Sequence, residues 1–391
     1  MEQLISFFVF DTIGLIALTI LFIVFLIQVF FYLVYYKTPM SCLKKMDTTH
    51  RQSEQPSVSV IIVAKDESEN LAKNLPFILS QNYPNYEVVV VNDGSTDKTE
   101  FLLKRLKEEH GHLYSTFSPI SYENESRRQK ILSLTIAIKA ASKDVLLFTE
   151  ADAAPLSSDW IGSMMSNLTS EKDIVLGFCR YEANGGFWSR IALFDNLLFS
   201  LQYLSKAVKN KPFGGVYRNV AYRKKIFFDN KGFSSALNFD HAEKIFLNNI
   251  LTPTNAAVAL SESSFVTTHV ESFMMWKFIK TNYMRAKVHF KNFNSSLFKL
   301  ETFSRYLFYI LTLAMVVYSS ITFLWVYLLG AVVLFLFRFL IQYLVLKAAS
   351  DHFQPTKTGL SLMLADLIQP YYNSYFMSYS KKKKKRKKKK Y

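Results

Sequence analysis

Carboxylates gather at three places in the first half of this 391-residue chain: Lys65-Asp66-Glu67, the run Asn92-Asp93-Gly94-Ser95-Thr96-Asp97, and Glu150-Ala151-Asp152. Each follows a short apolar run of strand character. A lone acid after a strand is commonly a turn or cap residue, and Asp97, ahead of a helical pattern, reads as a cap. Asp93 and Asp152 resist that reading, because carboxylates massed together repel unless a cation or an N–H donor neutralises them. Glu150 and Asp152 stand two apart, which puts them on one face of an extended chain. Hard oxygen donors of this type suit Mg²⁺ or Mn²⁺ rather than zinc. Neither GxGxxG nor GxxxxGK[ST] occurs, so a nucleotide diphosphate would be held through a metal and not by a glycine-rich loop. Cys42 and Cys179 lie far apart, which excludes a disulfide framework and a cysteine-based zinc site.

The elements that must position these acids are legible around them. Ser57–Ala64 and Glu87–Asn92 are β-branched runs suited to buried parallel strands. Asn70–Leu79, Asp97–Glu109 and Lys130–Ala141 carry helical patterns, and Val145–Thr149 and Ile174–Tyr181 read as further strands. Repeated βα units predict a doubly wound, Rossmann-like α/β domain over residues 53–300. In such sheets ligands bind beyond the carboxyl ends of the strands, where the three acidic clusters fall.

Apolar blocks flank this domain. Thr12–Tyr36 has no formal charge and is long enough as a helix to cross a bilayer. No basic residue precedes it and no small-residue cleavage site follows it, so it reads as an anchor within 1–52. Glu2 lies before it and Lys37, Lys44, Lys45 and Arg51 after it. The positive-inside rule then predicts an external N-terminus and a cytosolic domain. Tyr306–Leu346 suits a helical hairpin within 301–350, turning near Trp325–Gly330. Arg338 interrupts its second half, either snorkelling to headgroups or facing a lipid phosphate. Within 351–391, Leu360–Phe376 reads as an interfacial helix ahead of the basic run Lys381–Lys390, which would touch anionic lipid. That run holds ten of the +16 formal charges. The remaining charge is interspersed and forms no basic stripe, so a nucleic-acid partner is not expected.

VSVIIVAKDESENL, EVVVVNDGSTDKT, LLFTEADAAP and GFSSALNFDHAEKIFL, in that order and spacing, resemble the motifs of family 2 inverting glycosyltransferases of the GT-A fold. The resemblance implies that Asp66 and Glu67 line a nucleoside pocket, that Asp93 contacts the base and that Lys130 approaches the donor. It matches Glu150-Ala151-Asp152 to the DxD motif, with Asp152 on the metal and Glu150 nearer the ribose. Gln129 stands where the family often has glycine. The resemblance places Asn219 beside the acceptor and an acidic base after Gly232-Phe233, here Glu243 or Asp240, while His241 reads as a surface or packing residue rather than a second base. The QxxRW motif of processive members is absent around 276–290, although Arg285 and Lys287 lie there and could hold the leaving diphosphate.

The expected protein is thus an integral membrane glycosyltransferase of the plasma or inner membrane, with a cytosolic catalytic domain. It would move a sugar from a nucleotide-diphosphate donor to a lipid-linked or cell-envelope glycan acceptor. A processive polysaccharide synthase and an inactive sugar-nucleotide-binding scaffold are the alternatives.

Overall fold

The computed structural model describes residues 11–46, 55–119, 126–182, 185–239, 241–290, 295–355, 365–369 and 371–378. Asp240 and the run Lys381–Lys390 lie outside them. The described chain begins on α1 (Thr12–Phe30), which widens over Phe31–Tyr36 and leads into α2 (Thr38–Met46). The Asp11 carboxylate caps α1 by accepting from the Ile13 and Gly14 amides, each at 3.1 Å. Four strands alternate with helices next: β1 (Val58–Ala64), α3 (Ser68–Leu79), β2 (Tyr86–Asn92), α4 (Thr99–Glu109), β3 (Leu113–Phe117), α5 (Ser126–Ala140) and β4 (Val145–Phe148). Then come β5 (Ala153–Pro155), α6 (Trp160–Met165), β6 (Ile174–Leu176), β7 (Cys179–Glu182), α7 (Phe187–Val208), β8 (Val220–Arg223) and α8 (Lys224–Asp229). After α9 (Ala242–Ile250), β9 (Ala256–Val258) and β10 (Val266–His269), the chain ends in three helices, α10 (Phe273–Lys287), α11 (Ser295–Thr322) and α12 (Trp325–Phe353), and in helical turns at 365–369 and 371–378.

Seven strands form one sheet in the order β3-β2-β1-β4-β8-β6-β9, and only β8 runs against the rest. β1 and β2 end level, with Ala64 opposite Asn92, and β4 ends beside them with Phe148 opposite Ile61. Both faces are covered. Val60, Ile62, Val88 and Leu147 pack into one core cluster, and Ile61, Val89, Leu146 and Phe148 into another. That two-sided burial is why these strands read as continuous apolar runs.

The predicted strand at Ile174–Tyr181 is two strands. β6 belongs to the large sheet, whereas β7 pairs with β10 in a small three-stranded sheet, β5-β10-β7. The break at Gly177-Phe178 is held by Asn219. Its side-chain amide donates to the carbonyls of Phe178 and Ser264 at 2.8 Å each, and its backbone carbonyl accepts from Gly177 N at 3.0 Å. A Cβ at Gly177 would come within 2.4 Å of Asn219 Nδ2, so only glycine fits there.

α1, α11 and α12 are each long and apolar enough to cross a membrane. Leu21, Val24, Phe308, Met315, Tyr327 and Ala331 form their shared core, while Ile16, Ile20, Ile23, Leu313, Leu336 and Leu340 point outward. The hairpin turns at Phe323-Leu324, slightly before the expected Trp325–Gly330. Arg338 neither snorkels nor faces outward: it is buried, with Nη1 donating to Tyr309 and Gln342 at 3.0 Å each, and Nη2 donating to Gln28 at 3.1 Å and Asp366 at 3.2 Å. Four elements supply its partners, so the charge is met inside the protein. The expected interfacial segment accordingly docks by one face. Asp366, Tyr372 and Phe376 are buried, whereas Leu367, Tyr371 and Tyr375 are exposed; residues 356–364 and 370 of that stretch lie outside the described ones.

Candidate active site

The carboxyl ends of β1, β2 and β4 place the three acidic clusters along one edge of the sheet, and Val220 at the start of β8 sits opposite Phe148 at the same edge. Asp66 adopts a left-handed backbone (φ 54°), rare for a residue with a side chain. Its carboxylate accepts from Thr96 N at 2.7 Å, and its own amide donates to Ser95 Oγ at 2.9 Å. Asp66 therefore ties the loop after β1 to the loop after β2. Asp97 is the expected cap and serves two helices, accepting from Thr99 N at 3.0 Å and Ser68 N at 2.9 Å. Asp93 is buried and accepts from Ser133 of α5. Glu67 accepts from Asn70 at 2.6 Å. Burial raises its carboxyl pKa and the charges of Asp152 and Glu150 add to the rise, so these three acids share one electrostatic neighbourhood.

Glu150 and Asp152 are neutralised by cations. Arg218 donates to both oxygens of Asp152, Nε to Oδ1 at 3.0 Å and Nη2 to Oδ2 at 2.6 Å, and reaches Glu150 at 2.9 Å. Lys130 donates to the other Glu150 oxygen at 3.0 Å. Burial works against a charge on Glu150, yet Arg218, Lys130 and Lys244 together hold its carboxyl well below the usual range. Burial likewise opposes the Lys130 ammonium, but Glu150 and Glu243 hold its pKa above the ordinary lysine value. Glu243, in the first turn of α9, is 1% exposed and accepts from Lys244 Nζ at 2.9 Å. Burial would raise its pKa; Lys244, Lys130 and His241 outweigh that and bring it to about 2.

The neighbouring pair Arg218 and Asn219 divides into two roles. Asn219, expected beside an acceptor, is instead fully buried, with both amide hydrogens on backbone carbonyls and its oxygen accepting from Trp160 Nε1 at 3.1 Å. Arg218, one residue earlier, reaches the acids. The two lie in a turn ahead of β8, closed by the Asn219 amide donating to the Val216 carbonyl at 3.0 Å, and the turn sends their side chains to different places.

A cavity of about 1160 Å³ opens on this edge. Lys130, Glu150, Arg218, His241 and Lys244 line it together with Asp195 of α7, Trp276, Lys280 and Lys287 of α10, and Phe298, Thr302, Phe303 and Tyr306 of α11. Of the two cations expected near the diphosphate, Lys287 lines the cavity, whereas Arg285 is partly buried outside it. Burial and the nearby Lys280 charge lower the Lys287 pKa to about 8, against the opposing pull of Asp195. Asp195 accepts from Trp276 Nε1 at 3.2 Å and pairs with Lys280. Arg218, Lys244, Lys280 and Asp195 escaped the sequence reading. No motif marks them, and only their convergence on one cavity reveals them.

Among the described residues no three His, Cys, Asp or Glu side chains converge as a metal cage. Two carboxylates are nonetheless the protein share of a typical Mg²⁺ site, whose other positions go to substrate phosphates and water. Glu150 and Asp152 fit such an ion in donor type and number, and it would displace Arg218 from them.

Residues 59–238 match the family model described as Glycosyl transferase family 2. The poly-beta-1,6-N-acetyl-D-glucosamine synthase of Staphylococcus epidermidis is 29% identical over 114 residues, covering 29% of this chain and 26% of the relative. Glycosyltransferase AglE of Haloferax volcanii is 32% identical over 138 residues, covering 34% of this chain and 43% of the relative. The matched stretch thus spans less than half the length of these curated relatives. Among solved structures, the mannosyltransferase PcManGT of Pyrobaculum calidifontis, in complex with GDP-Man and Mn²⁺, is 16% identical. It aligns over 91% of this chain and 96% of its own, with a TM-score of 0.50, a likeness of fold.

Proposed function

From residues 59–238 as a glycosyl transferase family 2 domain on a GT-A fold, we propose that the chain moves a sugar from a nucleotide-diphosphate donor to a lipid-linked or cell-envelope glycan acceptor. The transfer takes place at the cytosolic face of the membrane and inverts the anomeric carbon. One observation carries this reading: the cavity lined by Glu150 and the Asp152-bound Arg218 is also lined by α11, a helix long and apolar enough to cross a membrane. An acceptor embedded in a bilayer would meet a donor held at the sheet edge without leaving the membrane.

In this reading Asp66, Glu67 and Asp93 line the nucleoside pocket. Lys130 and Glu150 face the donor, with Glu150 nearer the ribose. Glu150 and Asp152 would hold a Mg²⁺ or Mn²⁺ ion, which would supply positive charge to the leaving diphosphate. Arg218, released from Asp152, and Lys130 donate to the same oxygens in a low-dielectric cleft, where fixed donors count most. The base that takes the acceptor proton is Asp240 or Glu243. Glu243 is enclosed, ion-paired and held at a pKa of about 2, a poor proton acceptor near neutral pH. Its setting favours a supporting role, ordering Lys244 and Lys130, with Asp240 as the base.

A processive synthase is the second reading, favoured by the similarity to a poly-N-acetylglucosamine synthase and opposed by the missing QxxRW motif. The deciding experiment offers detergent-purified protein a panel of UDP-, GDP- and dTDP-sugars with Mn²⁺, and follows nucleotide release beside Asp152→Asn. Metal-dependent release that the variant loses is the expected result, and it names the donor. Absence of binding to every donor would overturn the transferase reading. Tight binding without turnover, even with lipid extract added, would instead favour a scaffold.

A further inference from the structure

Exposed apolar and aromatic side chains of the catalytic domain trace a path to the membrane helices. Phe187 and Trp188 open α7, Met274 and Phe278 stand four apart on α10, and Tyr371 and Tyr375 stand four apart on the 371–378 turn; all six are exposed. Residues four apart share one face of a helix, so each helical pair makes a stripe. The stripes are joined. Lys277 of α10 donates to the Tyr375 hydroxyl at 3.3 Å and lies over its ring. Trp188 packs on Phe273 with ring centres 4.8 Å apart, and Phe273 in turn stacks on Phe376 at 6.2 Å.

The path ends on α11. Tyr371 meets the Tyr306 ring edge-on at 6.1 Å. Phe303 and Ile310, a turn to either side of Tyr306, are exposed on a helix long and apolar enough to cross a membrane. Tyr306 stands about 24 Å along α11 from its Thr322 end, at about 1.5 Å per residue. A hydrocarbon core is about 30 Å thick. With α11 spanning a bilayer, Tyr306 and Tyr371 fall near the level where the helix leaves the hydrocarbon on the side of the catalytic domain. The residue types suit that level. Trp and Tyr combine an apolar body with a polar tip and gather where hydrocarbon meets headgroups. Exposure alone does not mark such a place: Phe101 of α4 and Phe117 at the end of the edge strand β3 are 71% and 74% exposed. Among the described residues no ring contact leads from them to α11.

We propose that Phe187, Trp188, Met274, Phe278, Tyr371 and Tyr375 form a membrane-docking face, which dips into the headgroup layer of the bilayer that α11 crosses and holds the catalytic domain against it. The inference goes beyond the transferase reading and requires only that α11 spans the membrane. Because Phe278 and Phe303 also line the cavity, the docked domain presents part of that cavity's wall to lipid.

The test uses the full-length protein in vesicles of phosphatidylcholine and phosphatidylglycerol. The photoreactive residue p-benzoylphenylalanine replaces Trp188, Phe278 or Tyr371 singly, and lipid adducts are counted by mass spectrometry after illumination. Phe101 and Phe117 are replaced as exposed controls, and Leu313, on the outward face of α11, as the lipid-facing reference. Every replaced side chain is exposed, so unfolding temperatures should match the wild type. Lipid adducts at Trp188, Phe278 and Tyr371 are expected to exceed those at Phe101 and Phe117 at least fivefold and to approach those at Leu313. Adducts no more frequent than at Phe101 and Phe117, beside a labelled Leu313, would overturn the proposal. Crosslinks to a second copy of the chain in place of lipid would also overturn it and assign the face to a protein interface. An unlabelled Leu313 would sink the spanning of α11 and the docking with it. Donor binding is measured on the same samples. Its absence beside intact lipid adducts would sink the transferase reading alone.

Discussion

Two clusters in this molecule have the same charge inventory and opposite accessibility. At the sheet edge, Glu150 and Asp152 face Arg218 and Lys130; among the membrane helices, Glu301 and Asp366 face Arg305 and Arg338. In the bundle the carboxylates are 1% exposed or less, and α1, α11, α12 and the 365–369 turn all contribute partners. At the sheet edge Lys130 is 43% and Glu150 25% exposed, both on the wall of a large cavity. An enclosed ion network is a clasp between elements. An equally balanced network with one side open can exchange its internal partners for a ligand. Balance of charge does not separate the two; access does.

The sharpest test of that contrast is to remove one carboxylate from each cluster. Asp366→Ala leaves Arg305 and Arg338 short of a buried partner and is expected to cost about 3–5 kcal/mol of stability, read as a large fall in thermal unfolding temperature in detergent. Asp152→Asn should leave that temperature nearly unchanged while lowering sugar transfer roughly 10²–10³-fold, the scale of losing one fixed electrostatic contact to the leaving group. If the second variant unfolds like the first, the sheet-edge cluster is structural after all.

A smaller effect sharpens the comparison. Arg218→Ala frees both oxygens of Asp152, so Mn²⁺ binding without donor should tighten by about tenfold, comparable to one charge-assisted hydrogen bond of ~1.5–3 kcal/mol. Calorimetry showing weaker Mn²⁺ binding would mean that Arg218 supports the metal site and does not compete for it. Smallest is a pH effect at Lys287, which faces Lys280 on its own helix and Asp195 from α7. Its pKa lies below the ordinary lysine value, at about 8. The ammonium is therefore present below that pH and lost above it, and if Lys287 contacts the leaving diphosphate, donor binding should fall a few-fold as pH rises through about 8. Donor binding that is flat between pH 7 and 9 would remove Lys287 from contact with the diphosphate.

Much of the fold was readable because it depends on local pattern. β1, β2 and β4 lie within a residue or two of their expected bounds, since strands covered on both faces are uninterrupted β-branched runs. The cap at Asp97 ahead of α4 was legible from residue type and position, whereas its second bond, from the Ser68 amide of α3, was not. The split of 174–182 between two sheets was not. It follows from Asn219 reaching across from β8 to clasp Phe178 and Ser264, a contact at a distance of some forty residues in the chain. The same contact moved Asn219 out of the site and left Arg218 in it.

What the sequence determined by itself was composition placed in order: an α/β pattern with acids after its strands, and apolar runs on both sides long enough to span a bilayer. Period and hydrophobicity act over neighbouring residues, so they survive without knowledge of the fold. Only the tertiary structure decided which charges are spent on one another. It sent Arg338 to Asp366 and not to lipid, Arg218 to Asp152, and Lys280 to Asp195, and it joined the acidic edge to the membrane helices through one cavity. Pairing and access are set by side chains that meet from distant elements, and no local pattern carries that information.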